Sequence, residues 1–116
     1  MQFNFKKPCN NCPFLKESLH GWLGEQRSTE ISEVIVSGIG TFSCHKTTGV
    51  TRGIEIPQQN QSHCFGALQM LRNMNKLESG FIYQMAQRLL GAKFDHIKVD
   101  TSKVFGNQIE FIEHHT

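Results

Sequence analysis

Four cysteines are the residues of this chain whose type and spacing could do chemistry. Cys9 and Cys12 form a C-x-x-C turn followed at once by Pro13, while Cys44 and Cys64 each stand beside a histidine. A C-x-x-C turn holds two sulfurs close enough to bind one metal ion or cluster, because the two intervening residues let the backbone fold around the metal. We therefore predict that all four cysteines hold a single metal centre.

The two solitary cysteines must be brought to this turn by the fold. Cys64 is expected in the first turn of a helix, where the positive end of the helix dipole favours a thiolate. Cys44 lies on a segment that alternates like a strand, so Cys44 and His45 should point to opposite faces and not bind the same ion. We predict that His45 and His63 support the ligands without binding the metal. No catalytic residue is predicted.

The spacing of the cysteines leaves the identity of the metal open. Structural zinc sites usually pair two short knuckles, and this chain has one knuckle and two solitary cysteines. Iron-sulfur clusters accept scattered cysteines more readily and often have a proline after a ligand, as at Cys12-Pro13. The sequence therefore favours a [4Fe-4S] cluster, with zinc as the alternative. Four unrelated cysteines, some buried as small apolar side chains, are the third interpretation.

The same motifs resemble a family of small bacterial and phage proteins, a domain of unknown function. The family layout is PCxxCP(Y/F), GxW, FxCH and CxG(W/A), and the corresponding residues run from Pro8 to about Leu71. This chain departs from it at Leu15, where members usually have arginine, and at Gly21-Trp22, where members have GxW. The resemblance implies a shared four-cysteine centre and carries no established activity.

Length and composition set the frame for this centre. The chain has 116 residues, 38% of them hydrophobic, and a net charge of +2 from 12 basic and 10 acidic side chains. This length predicts one domain, 1–116, with a cysteine-rich part at about 8–71 and a helical part at about 79–116. The mild charge does not imply nucleic-acid binding. Because the chain shows no apolar leader or spanning run, we expect a cytoplasmic protein without disulfides and without membrane contact.

Hydrophobic periodicity predicts a mainly helical α+β fold with a short β element. One helix should begin at Ser28 or Thr29 and stop at Gly38. A second should be capped by Ser62 and run to Leu77 or Glu78, and a third should end at Gly91; these two should pair as a helical hairpin. The other predicted elements are an edge strand or arm at Met1–Lys7, a loop at Leu15–Arg27, a strand at Thr41–Lys46, a long loop at Thr47–Ser62 with a short strand at Gly53–Ile56, and a last helix from the Asn107/Glu110 cap through Ile112.

Three other functions compete with a structural, regulatory or redox-sensing metal protein. A thiol oxidoreductase would use Cys9 and Cys12, but the motif does not open a convincing helix. A metalloenzyme would use His45 or His63 as acid or base. A protein or nucleic-acid interaction module would use basic side chains, namely Arg52, Arg72, Lys76 and Arg88.

Overall fold

The computed structural model describes residues 12–38 and 63–116. In these ranges the chain is mainly helical, as predicted. We number the helices α1 to α4 in chain order. They are α1 Glu25–Ser37, α2 Phe65–Asn73, α3 Phe81–Leu89 and α4 Gln108–His114.

In the described ranges, an antiparallel bridge joins Leu15 to Val104, and His63 is also a bridge residue. Beside the Leu15–Val104 bridge, the amide of Lys16 donates to the carbonyl of Lys103 at 2.7 Å. The arm predicted at 1–7, the strands predicted at 41–46 and 53–56, and the long loop predicted at 47–62 lie outside the described residues.

Helix α1 begins earlier than its hydroxyl residues predict. Its N-cap is Gly24, and the cap predicted at Ser28 or Thr29 is wrong. Both hydroxyls instead donate backward to the carbonyl of Glu25, at 3.1 and 2.7 Å, as serine and threonine do inside helices. The predicted stop is confirmed, because Gly38 takes a left-handed conformation with φ of 74°.

Helix α2 ends at Asn73, four residues short of Leu77. Asn75 adopts a left-handed φ of 59°, and the amide of Lys76 reaches back to the carbonyl of Leu71 at 2.9 Å. This left-handed C-terminal turn releases the chain from the helix axis. The sequence offered no glycine there, and asparagine is the other residue that takes this conformation readily.

The helical hairpin predicted for α2 and α3 is wrong. Among the described helices, the extensive contacts join α1 to α4 and, less broadly, α1 to α2. The turn after α2 sends the chain away, and α3 docks through Tyr83, whose ring meets Phe94 edge to face. Helix α3 also meets the end of α1, where the amide of Ile82 donates to the carbonyl of Gly38 at 2.8 Å.

Helix α4 carries the cap that its sequence predicts. The side chain of Asn107 accepts from the amide of Glu110 at 2.9 Å, and the Glu110 carboxylate accepts from the amide of Gly106 at 2.8 Å. The helix continues past the predicted end at Ile112 to His114.

One core joins these elements. Phe14, from the segment before α1, stacks on Phe111 of α4 with ring centroids 4.5 Å apart and planes only 4° from parallel. Large side chains from every described element complete this core: Ile35, Met70, Leu71, Leu77, Tyr83, Phe94, Val104 and Phe105. Within the described ranges, no helix combines the length and apolarity needed to cross a bilayer.

Asn73 ties the segment before α4 to the end of α2. Its side-chain nitrogen donates to the carbonyls of Asp100 and Phe105, at 3.0 and 3.1 Å, and its oxygen accepts from the amide of Asp100 at 2.8 Å. One amide side chain thus satisfies three backbone groups of a segment that has no helix of its own.

We expect Asn73→Ala to lower the free energy of unfolding by about 1–3 kcal/mol, because three backbone groups lose their partner. Urea denaturation measures this change. The matched control is Glu33→Ala, which removes an exposed side chain of α1 and should change stability by less than about 0.5 kcal/mol. Equal stability of the two variants would contradict the role given to Asn73.

Candidate metal centre

The structure brings Cys12 and Cys64 together. Their sulfurs lie 3.4 Å apart, although 52 positions separate the residues in sequence. This distance is far longer than the roughly 2.05 Å of a disulfide, so the two cysteines are in contact without being bonded. Both side chains are buried, Cys12 at 1% and Cys64 at 3% exposure.

Two different local structures present these sulfurs. Cys64 is the N-cap of α2, so it stands at the helix start, one position before the predicted first turn, and the cap predicted at Ser62 is wrong. Cys12 enters a turn closed by the amide of Leu15 on the Cys12 carbonyl at 3.2 Å. In the described part of the chain no helix begins until Glu25, so Cys12 does not open one.

Gly66, in the first turn of α2, makes this approach possible. A Cβ at this position would lie 2.4 Å from the sulfur of Cys12 and 2.8 Å from the Cβ of Phe14. Side-chain atoms do not approach that closely, so only glycine lets the Cys12 turn lie against the helix. The Cys64-x-Gly66 spacing therefore has a direct steric explanation.

The turn after Cys12 is held by the C-terminal end of the described chain. The Nε2 of His115 donates to the carbonyl of Pro13 at 2.8 Å, while its Nδ1 accepts from the amide of Leu23 at 3.4 Å. Burial lowers the pKa of His115 and outweighs the hydrogen bond to the Pro13 carbonyl, which raises it, while electrostatic interaction with His114 and His20 lowers it further. Protonation of Nδ1 would also place its N–H against the amide N–H of Leu23, so that two donors would face each other. His115 is therefore neutral at pH 7.

His114 makes further hydrogen bonds to the same segment. Its Nε2 lies 2.7 Å from the carbonyl of Ser18, to which it donates, and the carbonyl of His114 accepts from the amide of Gly21 at 2.8 Å. The two adjacent histidines thus hold the loop between Cys12 and α1 at several points.

His63 precedes Cys64, and both of its ring nitrogens have partners other than the two sulfurs. Its Nδ1 is 3.0 Å from the carbonyl of Cys64, and its Nε2 is 3.2 Å from the hydroxyl of Tyr83. Burial lowers the pKa of His63 to about 4, so the ring is neutral at pH 7. With Nδ1 donating to the carbonyl, Nε2 accepts from the tyrosine. Burial, and then the charge of Cys64, raises the pKa of Tyr83, which keeps the phenol protonated as this pairing needs.

The remaining predicted site residues, Cys9, Cys44 and His45, lie outside the described residues. Within 12–38 and 63–116, no group of three or more cysteine, histidine, aspartate or glutamate side chains is arranged to hold a metal ion. The structure therefore describes half of the predicted four-cysteine site. The other half stays a prediction.

Sequence reasoning missed three residues that shape this site. His114 and His115 attract attention as a histidine pair, but nothing local indicates that they bind a loop nearly a hundred residues away. Tyr83, the partner of His63, sits on a predicted helix as the chain's one tyrosine. A buried tyrosine usually finds a hydrogen-bond partner, which is the signal that could have singled it out.

Comparison with known proteins adds no relative: the chain matches no protein-family model, no curated protein and no solved structure. The family resemblance given by the cysteine motifs stays a prediction.

We expect Gly66→Ala to destabilise the protein by about 1–3 kcal/mol, because the new methyl group overlaps the Cys12 sulfur and Phe14. The sign is diagnostic, since the same change inside an ordinary helix stabilises by about 1 kcal/mol. Thermal or urea denaturation measures it. Gly106→Ala is the matched control, because its added Cβ would meet the flexible carboxylate of Glu110 at 3.3 Å and the methyl group of Thr101 at an ordinary contact distance of 3.5 Å. A stabilised Gly66→Ala protein would contradict the close packing of Cys12 on α2.

We expect His115 to make the protein less stable in acid. The pKa of this ring is lower in the folded protein than the ordinary value of 6.5, so the unfolded chain binds its proton first. Stability is therefore complete above pH 6.5 and falls as the pH drops from 6.5 toward the folded pKa. Urea denaturation between pH 8 and pH 5 measures the slope.

In this experiment His115→Gln should reduce the loss of stability below pH 6.5; part of the loss should remain, because burial also lowers the pKa of His63, to about 4. His96→Gln, a change at an exposed histidine, is the matched control and should leave the slope as it is in the wild type. A slope unchanged by His115→Gln would show that this ring is not held neutral by its contacts with Pro13 and Leu23.

Proposed function

We propose that this chain is a small metal-binding protein whose four cysteines hold one metal centre with a structural or regulatory role. The observation that supports it is the contact of two buried sulfurs, Cys12 and Cys64, across 52 positions of sequence. The first of them belongs to the C-x-x-C turn and the second caps a helix. Cys9 and Cys44 complete the proposed ligand set on the evidence of sequence.

The residues present fit a metal. Gly66 leaves open the space that a Cβ would fill beside the Cys12 sulfur. Two thiolates 3.4 Å apart would repel each other by about 5 kcal/mol at an effective dielectric of 20, so a cation between them would be strongly favoured. A bound metal would neutralise these thiolates and tie the segment before α1 to α2.

The distance between the sulfurs supports a single zinc ion over a four-iron cluster. In a tetrahedral site with zinc–sulfur bonds of about 2.3 Å, neighbouring sulfurs lie about 3.8 Å apart. A [4Fe-4S] cluster binds each cysteine through a different iron, which sets the cysteine sulfurs further apart than around one ion. The observed 3.4 Å is near the zinc value. We therefore propose zinc, with the iron-sulfur cluster as the competing centre.

Neither of the two chemical alternatives gains support from the site. A C-x-x-C oxidoreductase needs its attacking cysteine at a helix start, and the segment after Cys12 is a turn and a loop. An acid–base role for His63 needs a ring that titrates near neutrality. The pKa of about 4 and the two hydrogen-bond partners of His63 indicate a structural role instead.

The proposed nucleic-acid contact at Arg72 also loses support. Its guanidinium pairs with Glu78 at 2.7 Å and donates to the carbonyl of Phe94 at 3.0 Å, with the side chain only 16% exposed. Arg72 therefore holds the turn after α2 and offers little to a phosphate backbone.

The test is metal analysis of protein purified anaerobically. We expect about one zinc ion per chain and no visible colour. Cys12→Ser and Cys64→Ser should each lose most of the metal and lower the melting temperature, because the site is part of the fold. His96→Gln is the matched control and should retain the full zinc content.

Two results would overturn parts of this proposal. A brown protein with broad absorbance in the visible blue, together with iron and sulfide, would replace zinc by the cluster and keep the cysteine ligands. Protein that holds no zinc, iron or other transition metal, even after reconstitution under reducing conditions, would overturn the metal centre itself.

A further inference from the structure

We propose that Cys12 and Cys64 are also a redox-sensitive pair. Oxidation by a peroxide joins their sulfurs in a disulfide, and this bond removes two ligands from the metal centre and releases the metal. The release rests on the proposed metal centre, whereas the disulfide does not.

The geometry favours this bond because the sulfurs already touch. At 3.4 Å, they need to approach by only about 1.4 Å to reach disulfide length. Cys64 is fixed at the start of α2, but Cys12 belongs to a turn outside any helix. Rotation of the Cys12 side chain over Gly66, which presents no Cβ, can supply the movement without disturbing α2.

The reaction balances with hydrogen peroxide as the oxidant. The two sulfurs lose two electrons in total and form the S–S bond, the O–O bond of the peroxide breaks, and the protons leave with the oxygens as two waters. Where the thiolates carry a metal instead of protons, two protons come from solvent and the metal leaves as the divalent ion. A dithiol reductant reverses the step and restores both ligands.

The metal-bound and disulfide states exclude each other. A disulfide sulfur carries no thiolate charge and is a poor metal ligand, and both described ligands are converted by one bond. Because both sulfurs are buried, the pair differs from an exposed catalytic thiol. We expect a slow switch that responds to sustained oxidation.

The competing disulfide is Cys9–Cys12, which the C-x-x-C spacing allows. Tryptic peptides separate the two outcomes. Cys9 and Cys12 share the peptide 7–16, since trypsin does not cut before Pro8, while Cys64 lies in the peptide 53–72. A Cys12–Cys64 bond joins the two peptides, whereas a Cys9–Cys12 bond leaves them separate and lowers the mass of the first by about 2 Da.

The experiment uses the full chain, purified anaerobically and treated with hydrogen peroxide. Zinc release is followed with a chromogenic chelator, and non-reduced peptides are mapped by mass spectrometry. We expect the 7–16 and 53–72 peptides to become linked in proportion to the zinc released, and a dithiol to reverse the link. Cys9→Ser should retain the link, which assigns it to Cys12, and Cys64→Ser should abolish it. Fragmentation of the linked wild-type peptides gives the same assignment if Cys9→Ser fails to fold.

The outcomes separate this inference from the proposed function. Suppose that the untreated protein contains zinc, but that peroxide produces a Cys9–Cys12 disulfide or none. This result overturns the redox inference and leaves the proposed metal centre intact. A protein without metal overturns the proposed function and the release step. The same metal-free sample then tests the disulfide. If peroxide forms no Cys12–Cys64 bond in it, the proposed disulfide is overturned as well.

Discussion

The described structure depends on the packing of the Cys12 turn against the first turn of α2. Residues 12–24 form no helix and share only one β-bridge with the rest of the described chain, so side chains must hold them. Three groups do so within a few ångströms: the sulfur of Cys12 on Gly66 and Cys64, the ring of Phe14 on Phe111, and the carbonyl of Pro13 on His115. The C-x-x-C-P-F motif is thus an anchor as well as a set of potential ligands.

This anchor explains why α4 matters although it is a short helix. Phe111 and His115 lie one turn apart and face the same way. The ring that stacks on Phe14 and the ring that donates to the Pro13 carbonyl therefore lie on the same side of this helix. The capping pair Asn107 and Glu110 fixes where that helix starts. A local sequence signal therefore positions a long-range contact.

The sequence predicted well where local rules decide the structure. The Asn107 cap, the glycine stop at Gly38 and the third helix are confirmed, and Cys64 stands at a helix start, as its N-cap and not within the first turn. It failed where the same residue type serves two purposes. Ser28 and Thr29 can cap a helix or bond backward inside one, and the neighbouring contacts of α1 decide between these.

Long-range contacts account for the other failures. The early end of α2 at Asn73 allows Asn73 to bind the segment before α4, and the hairpin with α3 is lost as a consequence. The hydrogen bond from His115 to Pro13 joins residues 102 positions apart, and hydrophobic periodicity cannot predict such a contact. The pairing of Cys12 with Cys64 was predictable only because both carry the same chemistry, and a shared ligand type is one of the few sequence signals that reach across a fold.

The surroundings of this cysteine pair restrict what it can be. Next to Cys64, the neutral ring of His63 bonds to the Cys64 carbonyl and to the hydroxyl of Tyr83. Among the described residues, Phe14 and Ala67 are buried close to the pair in the chain. Two negative sulfurs in contact cannot persist there, because the repulsion between them is large and water is excluded. The pair must therefore keep its protons, share a cation or form a covalent bond. If the pair keeps its protons, it is an ordinary part of the core. Sharing a cation is the metal-bound state, and the covalent bond is the disulfide state. One close contact between two cysteine sulfurs thus underlies both proposals made for this protein.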